Sequence, residues 1–99
     1  MTVFAVEYVY DPDLAERRDE CRPAHRQWLG ELVEAGVLLA SGPYLDGSGG
    51  LFAFVAADEA ELHKVLAQDP FALHGCVAGT RTTGWNPVTG LLKEYAQGA

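Results

Sequence analysis

The sequence predicts an α+β domain whose elements follow the order strand–helix–strand–strand–helix–strand. Runs rich in β-branched, aromatic and aliphatic residues at 3–10, 37–44 and 51–57 indicate strands, and apolar positions at helical spacing indicate the two helices. Threonines in 76–88 indicate a final strand. This order is that of the ferredoxin-like split βαβ unit, which packs helices on one face of an antiparallel sheet. The 99 residues have the size of one domain, 1–99.

The first strand is predicted at residues 3–10, which carry one charge, Glu7. So few charges predict a strand that is covered on both faces for most of its length. Asp11-Pro12-Asp13 ends the strand, because proline fixes φ and either aspartate can cap a following helix.

The first helical region is predicted in two pieces, a short charged one at 13–21 and a longer one at 23–35. Pro23 lacks an amide hydrogen and pushes the preceding residue out of helical geometry, so we expect a break at Arg22. The longer piece has an apolar stripe formed by Trp28, Leu29, Leu32 and Val33.

A hairpin is predicted after this helix, which Gly36 ends as a left-handed cap. The turn at 46–50 joins strands at 37–44 and 51–57. The Gly42-Pro43 pair is one that a central strand would not tolerate for long.

A second helix is predicted at 59–67, where Asp58 followed by Glu61 resembles a capping box. Asp69-Pro70-Phe71 ends this helix and opens a further turn that Gly75 closes. The last strand, within 76–88, is expected to be irregular or at an edge, because it contains Gly79, Gly84 and Pro87.

One layer of helices can cover only one face of the sheet, and 99 residues leave nothing for a second layer. Strands that are apolar on both faces therefore predict a sheet-to-sheet partner, most simply a two-fold symmetric homodimer. The tail at 89–99 is more apolar than a free tail needs and is expected to clasp that partner.

Composition excludes several classes of partner. The chain has 7 Lys and Arg against 14 Asp and Glu, so its formal net charge is −7. This balance argues against binding to nucleic acid or to an anionic membrane surface. No apolar run approaches the roughly 20 residues that cross a bilayer, and the N-terminus does not resemble a signal peptide. Two cysteines, Cys21 and Cys76, are too few for a disulfide scaffold, which favours a reducing cytoplasm.

A basic cluster departs from this acidic average. Four of the seven cationic residues lie within ten positions: Arg17, Arg18, Arg22 and Arg26. Asp19 and Glu20 dilute the cluster, so the alternative is a salt-bridged helix face in solvent.

His25 is the first candidate for chemistry. It lies in this cluster and one turn before Trp28 and Leu29, which predicts a partly desolvated imidazole. Such a group can act as a general base, and Arg22 beside it would attract an anionic ligand. The alternative is a hydrogen-bonded core histidine without a catalytic role.

Asp69 is the second candidate. An aspartate before Pro-Phe is commonly a helix cap or turn former. If its carboxylate points inward it needs a partner, and a histidine is one option. In such a pair the carboxylate would fix which ring nitrogen carries the hydrogen, and it would stabilise the imidazolium that forms after proton abstraction.

The other polar residues give weaker signals. His63 is expected in solvent, His74 at a helix end, and Cys21 in a structural role. The histidines lack metal-ligand spacing, and no glycine pattern binds phosphate, so we expect neither a metal nor a nucleotide cofactor. Ser41 and Gly42 could present a hydroxyl and a backbone amide to a ligand.

Several segments together resemble the YciI-like (YCII-related) domain family. In chain order they are Arg22-Pro23-Ala24-His25, Leu29 and Leu32, Gly36-Val37-Leu38, Ser41-Gly42-Pro43, the glycine-rich hairpin, and Asp69-Pro70-Phe71 before a strand with Trp85. The resemblance implies a ferredoxin-like dimeric α/β barrel with an active site centred on a histidine–aspartate pair, which maps onto His25 and Asp69. The family includes a dehydrochlorinase of chlorinated hydroquinones, which implies proton abstraction on small ring compounds.

Three functions stay open from the sequence. The first is a cofactor-independent enzyme for a small anionic or phenolic molecule, with His25 as base, Asp69 as its support, and Arg22, Ser41 and Gly42 as binding residues. The second is a non-catalytic dimeric module that binds a small molecule in the same pocket. The third is a cofactor-independent monooxygenase.

Overall fold

The computed structural model describes residues 1–97. Its main elements are β1 (Thr2–Val9), α1 (Ala15–Glu34), β2 (Leu38–Pro43), β3 (Gly49–Ala56), α2 (Glu59–Leu66), α3 (Pro70–Leu73) and β4 (Gly79–Trp85). The four strands form one antiparallel sheet in the order β2–β3–β1–β4. The ferredoxin-like arrangement predicted from the element order is therefore confirmed.

The core lies between the helices and one face of the sheet. Alternate residues of the two central strands point to the helices: Phe4, Val6 and Tyr8 from β1, and Phe52, Phe54 and Ala56 from β3. Leu62 and Leu66 of α2 complete the same buried cluster. Burial of each large side chain contributes roughly 1.5–3 kcal/mol, so this layer dominates the stability of the domain.

Helix α1 is continuous, so the predicted break at Arg22 is wrong. Pro23 is exposed and lies inside the helix. An internal proline costs about 3 kcal/mol, since it removes one backbone hydrogen bond. The helix nevertheless extends through it, because Arg18 on one side of Pro23 and His25 on the other are both buried against the domain. Tertiary packing has overridden the local preference.

The apolar stripe of α1 is shorter than predicted. Trp28, Leu29 and Leu32 pack against the core as expected. Val33 does not, because 54% of its surface is exposed. Gly36 has φ +74°, the left-handed conformation expected of the residue that ends this helix.

Two aspartate caps begin the shorter helices. The Asp58 carboxylate accepts a 2.8 Å hydrogen bond from the amide of Glu61, as the capping pattern predicts. The Asp69 carboxylate accepts a 2.9 Å bond from the amide of Phe71 and begins α3. Gly75, at φ +67°, closes that short helix.

The second face of the sheet has no helix over it within residues 1–97. Leu51 of β3 and Trp85 of β4 are about half exposed there, at 46% and 47%. With Ala5 and Ala53 they line an apolar hollow of about 580 Å³, which Leu92 of the tail borders. β4 lies at an edge of the sheet, as predicted. The last two residues of the predicted apolar tail lie outside the described range.

No helix in the described part of the chain has the length and apolar character needed to cross a membrane.

Candidate active site

A histidine and an aspartate from different elements are in contact between the helices and the sheet. His25 lies in the middle of α1, and Asp69 precedes α3. Nδ1 of His25 is 2.7 Å from Oδ1 of Asp69. Both residues are buried, with 6% and 0% of their surfaces exposed. When this carboxylate is ionised it can only accept, and the hydrogen bond then requires the tautomer of His25 that carries its hydrogen on Nδ1.

The carboxylate of Asp69 has two further donors. The Tyr8 hydroxyl donates a 2.6 Å hydrogen bond to Oδ2, and the amide of Phe71 donates to Oδ1. The two interpretations of Asp69 are therefore compatible, because one oxygen both caps α3 and accepts from His25. A buried carboxylate needs such partners to offset its lost hydration.

The imidazole of His25 is held by aromatic rings. It stacks on Phe71 with ring centres 3.8 Å apart and planes 3° from parallel. Phe52 packs against it edge to face at 6.4 Å. These contacts set the plane of the ring while Asp69 engages Nδ1. The hydrogen bonds made within residues 1–97 engage Nδ1 and leave Nε2 unused, so Nε2 is the nitrogen available to a ligand.

His25 borders a cavity of about 210 Å³ between α1, β2 and the start of α3. The wall includes the three residues predicted to bind a ligand: Arg22, Ser41 and Gly42. Asp69 does not line the cavity but lies behind His25. The structure thus brings all five predicted residues into one place, two in direct contact and three along the wall.

The arginines of the basic cluster have different surroundings. Arg22 lines the cavity and forms an ion pair with Asp19 at its exposed edge. Arg26 also lines the cavity, and Arg17 is exposed. Arg18 is buried, so the alternative prediction of a salt-bridged helix face in solvent is wrong for this residue. The part of α1 that lines the cavity therefore carries two positive charges, those of Arg22 and Arg26, although the whole chain is acidic.

Two tyrosines of the site were not predicted. Tyr8 contacts Asp69, and Tyr10 lines the cavity. Burial, together with the nearby Asp69 charge, raises the pKa of Tyr8 far above its usual range, so its hydroxyl stays protonated and donates. The sequence did contain a signal for them. Tyr8 and Tyr10 are two residues apart on a predicted buried strand, so their side chains lie on the same face, and a buried tyrosine hydroxyl needs a polar partner.

The weaker candidates lie elsewhere. His63 is exposed, with Nε2 3.9 Å from Glu59. His74 is the C-terminal cap of α3, which agrees with its predicted place at a helix end. Burial raises the pKa of the Cys76 thiol, and both cysteines are free. Within residues 1–97, no three His, Cys, Asp or Glu side chains are grouped so that they could hold a metal ion.

Solved structures share this fold. A 5-chloro-2-hydroxyhydroquinone dehydrochlorinase from Burkholderia phenoliruptrix AC1100, in complex with 2,5-dihydroxybenzoquinone, matches with a TM-score of 0.75 and 24% identity over 85% of this chain and 93% of its own. An antibiotic biosynthesis monooxygenase matches with a TM-score of 0.55 and 15% identity over 87% of this chain and 97% of its own. At these identities the likeness shows the fold alone.

Sequence comparison identifies the family. No protein of curated function matches the chain at a significant level. A sequence model of the YCII-related domain matches residues 2–86, which include the whole sheet, α1 and both members of the buried pair. The chain therefore belongs to the YCII-related domain family.

Proposed function

We propose that this protein is a cofactor-independent enzyme that transfers a proton on a small anionic or phenolic molecule, in an isomerase or lyase reaction. The observation that carries the proposal is the buried contact between Nδ1 of His25 and Asp69, beside a cavity that His25 lines. A histidine that lines a cavity, with one nitrogen engaged by a carboxylate and the other left unused, is arranged for general acid–base catalysis.

In the proposed step, Nε2 of His25 takes a proton from the substrate. The imidazolium that forms is stabilised by the carboxylate of Asp69, which accepts the hydrogen bond from Nδ1. The electron pair left on the substrate moves onto an oxygen conjugated with it. The same imidazolium then returns the proton at another atom, which is isomerisation, or a neighbouring group leaves, which is elimination.

The cavity supports a small planar ligand. Its volume of about 210 Å³ lies below the roughly 300–1,000 Å³ of pockets that take drug-sized ligands, so it suits a smaller molecule such as one substituted ring. Phe52 and Phe71 form apolar parts of the wall. Arg22 and Arg26 place positive charge at the opening for an anion, and guanidinium donors suit oxygen ligands. Ser41 and Gly42 border the same space from β2.

The structural neighbour supports this substrate class. Its chlorinated hydroquinone substrate and its bound dihydroxybenzoquinone are single six-membered rings that carry oxygens. Removal of hydrogen chloride from such a ring requires a base, which His25 would supply here. We propose the same class of ring for this protein, with the leaving group left open.

A hydrogen–deuterium exchange assay tests the proposed chemistry whether the net reaction is isomerisation or elimination. The protein is incubated in D₂O with 2,5-dihydroxybenzoquinone and related hydroxylated rings, and deuterium entry at ring carbons is followed by proton NMR. We expect protein-catalysed exchange that falls by about 10²–10⁴-fold in His25→Ala. His63→Ala is the matched control, because His63 is exposed and does not line the cavity.

The alternative function is a non-catalytic module that binds a small molecule in the same cavity. Tight binding of a ring compound with no exchange, and recovery of the compound unchanged by mass spectrometry, would establish this alternative and exclude the enzyme. Oxygen uptake with phenolic substrates would identify a monooxygenase instead.

We further propose that the domain works as a homodimer in the cytoplasm. Support for the dimer comes from the half-exposed Leu51 and Trp85 on a sheet face that no helix of residues 1–97 covers. Support for a reducing compartment comes from the two free cysteines.

A further inference from the structure

Tyr10 is held firmly at the wall of the cavity. Its amide donates a 2.9 Å hydrogen bond to the carbonyl of Ser48 in the hairpin turn. The guanidinium carbon of Arg18 lies 4.5 Å from the centre of its ring, and Phe71 meets the ring edge to face at 6.1 Å. Arg18 is itself buried and donates to the carbonyl of Asp11. The ring of Tyr10 is therefore oriented from several directions.

The hydroxyl of Tyr10 is available to a ligand. Tyr10 and Gly50 both line the cavity, and a Cβ added to Gly50 would lie 3.4 Å from this hydroxyl. No side-chain oxygen of residues 1–97 is both buried and without a hydrogen-bond partner, so the Tyr10 oxygen, which has no partner, is accessible. The hydrogen bonds made within residues 1–97 leave the Tyr10 hydroxyl unused, whereas Tyr8 and Tyr44 each donate to a carboxylate. A rigid aromatic residue with a free donor beside a base has the features of a ligand-binding group.

The donor stays protonated under ordinary conditions. Burial, followed by the negative charge of Asp69, raises the pKa of Tyr10, although Arg18 and Arg22 act in the opposite direction. A neutral hydroxyl donates strongly to an oxyanion and does not compete with His25 for the substrate proton.

We propose that Tyr10 is a catalytic residue whose hydroxyl binds the substrate oxygen that becomes negatively charged when His25 removes the proton. This inference rests on the proposed function and narrows its substrate to rings that carry a carbonyl or phenol oxygen conjugated with the reacting carbon. As the C–H bond breaks, its proton goes to Nε2 of His25 and its electron pair moves to that oxygen. The Tyr10 hydrogen stays on the tyrosine and is shared with the oxyanion.

The arginines suit this task less well. Arg18 is committed to Asp11 and to the ring of Tyr10. Arg22 is paired with Asp19 at the exposed edge of the cavity. These cations can attract an anion, but Tyr10 offers a donor on a fixed ring that contacts Phe71, on which His25 stacks.

A pair of probes that differ in one oxygen tests the inference. Binding of 4-nitrophenolate and of nitrobenzene is measured by calorimetry at a pH of about 8.5, where an unperturbed tyrosine is still protonated. Wild type is compared with Tyr10→Phe and with Tyr44→Phe. The second variant is the matched control, because Tyr44 donates to Glu7 and does not line the cavity.

We expect Tyr10→Phe to weaken binding of 4-nitrophenolate by about tenfold or more and to leave nitrobenzene unchanged. Tyr44→Phe should resemble wild type for both probes. The absorption of bound 4-nitrophenolate should shift to shorter wavelength in wild type, because a hydrogen bond localises charge on the phenolate oxygen. This wild-type measurement stands even if the variant does not fold.

Other outcomes separate this inference from the proposed function. Equal loss of both probes in Tyr10→Phe, equal binding in all variants, or no absorption shift in wild type would overturn the role of Tyr10 and leave the His25 mechanism intact. Failure of wild type to bind either probe would overturn the proposed cavity, and the role of Tyr10 with it.

Discussion

The hydroxyl of Tyr8 donates a 2.6 Å hydrogen bond to Oδ2 of Asp69, while His25 engages the other carboxylate oxygen. The amide of Phe71 is a third donor, so three groups surround a carboxylate that has no exposed surface. β1, α1 and α3 each supply one of these donors. The candidate site is thus connected to the hydrophobic core through Tyr8. Substitutions at Asp69 should therefore lower both the free energy of unfolding and the catalytic rate.

Asp69→Asn should lower both stability and activity. An amide has one acceptor oxygen and a pair of donors, so it cannot accept from Tyr8, His25 and Phe71 as the carboxylate does. We expect a loss of about 1–3 kcal/mol in the free energy of unfolding, measured in urea, because a buried polar group loses its partner. Ring-proton exchange should fall by about a hundredfold or more, as the imidazolium loses its carboxylate. Asp46→Asn, at an exposed turn, is the control, and unchanged exchange in Asp69→Asn would contradict the mechanism.

Tyr8→Phe should change the response of stability to alkaline pH. Burial and Asp69 raise the pKa of Tyr8 in the folded state, so the folded protein holds this proton more tightly than the unfolded chain does. The resulting stability is complete below the unfolded pKa of about 10 and is lost as the pH rises above it. Wild type should therefore lose stability above about pH 10 more steeply than Tyr8→Phe, by up to about 1.4 kcal/mol per pH unit. Parallel curves from urea unfolding would show that Tyr8 contributes nothing to this dependence.

Pro23→Ala should stabilise the protein. Alanine restores the backbone hydrogen bond that proline removes from the middle of α1, and the position is exposed, so no packing is lost. We expect the free energy of unfolding to rise by about 1–3 kcal/mol, less than the full cost of an internal proline because the unfolded chain also gains freedom. Gly30→Ala is a comparison in the same helix, where an added Cβ meets nothing within 4 Å and the gain should be about 1 kcal/mol. A decrease in Pro23→Ala would mean that the proline is needed for helix geometry.

Leu51→Lys should convert the proposed dimer to a monomer. A charge on the uncovered sheet face would be buried without a partner in a sheet-to-sheet assembly. Sedimentation velocity over a range of concentrations should show association in wild type and none in Leu51→Lys. Val33→Lys is the matched control, since Val33 is a similarly exposed apolar residue on α1. A wild-type monomer at all concentrations would exclude the homodimer.

Local sequence patterns were sufficient to predict where most helices and strands begin and end. The aspartate caps at Asp58 and Asp69 and the left-handed Gly36 depend on hydrogen bonds and steric limits within a few residues, so the sequence predicts them directly. Pro23 shows where this fails. Its local preference is real, but buried residues on both sides of it outweigh that preference, and their burial depends on contacts with distant parts of the chain.

The sequence by itself determined the order of strands and helices, the apolar character of the strands, and the residue types that could carry acid–base chemistry. Only the tertiary structure decided that His25 and Asp69, 44 positions apart, are 2.7 Å from each other, and that Tyr8 and Tyr10 belong to the same site. The physical reason is that periodicity and capping act over a few residues, whereas the pairing of a buried carboxylate depends on which elements pack together. The chain's charge of −7 illustrates the same point, because folding places Arg22 and Arg26 at the cavity of an otherwise acidic protein.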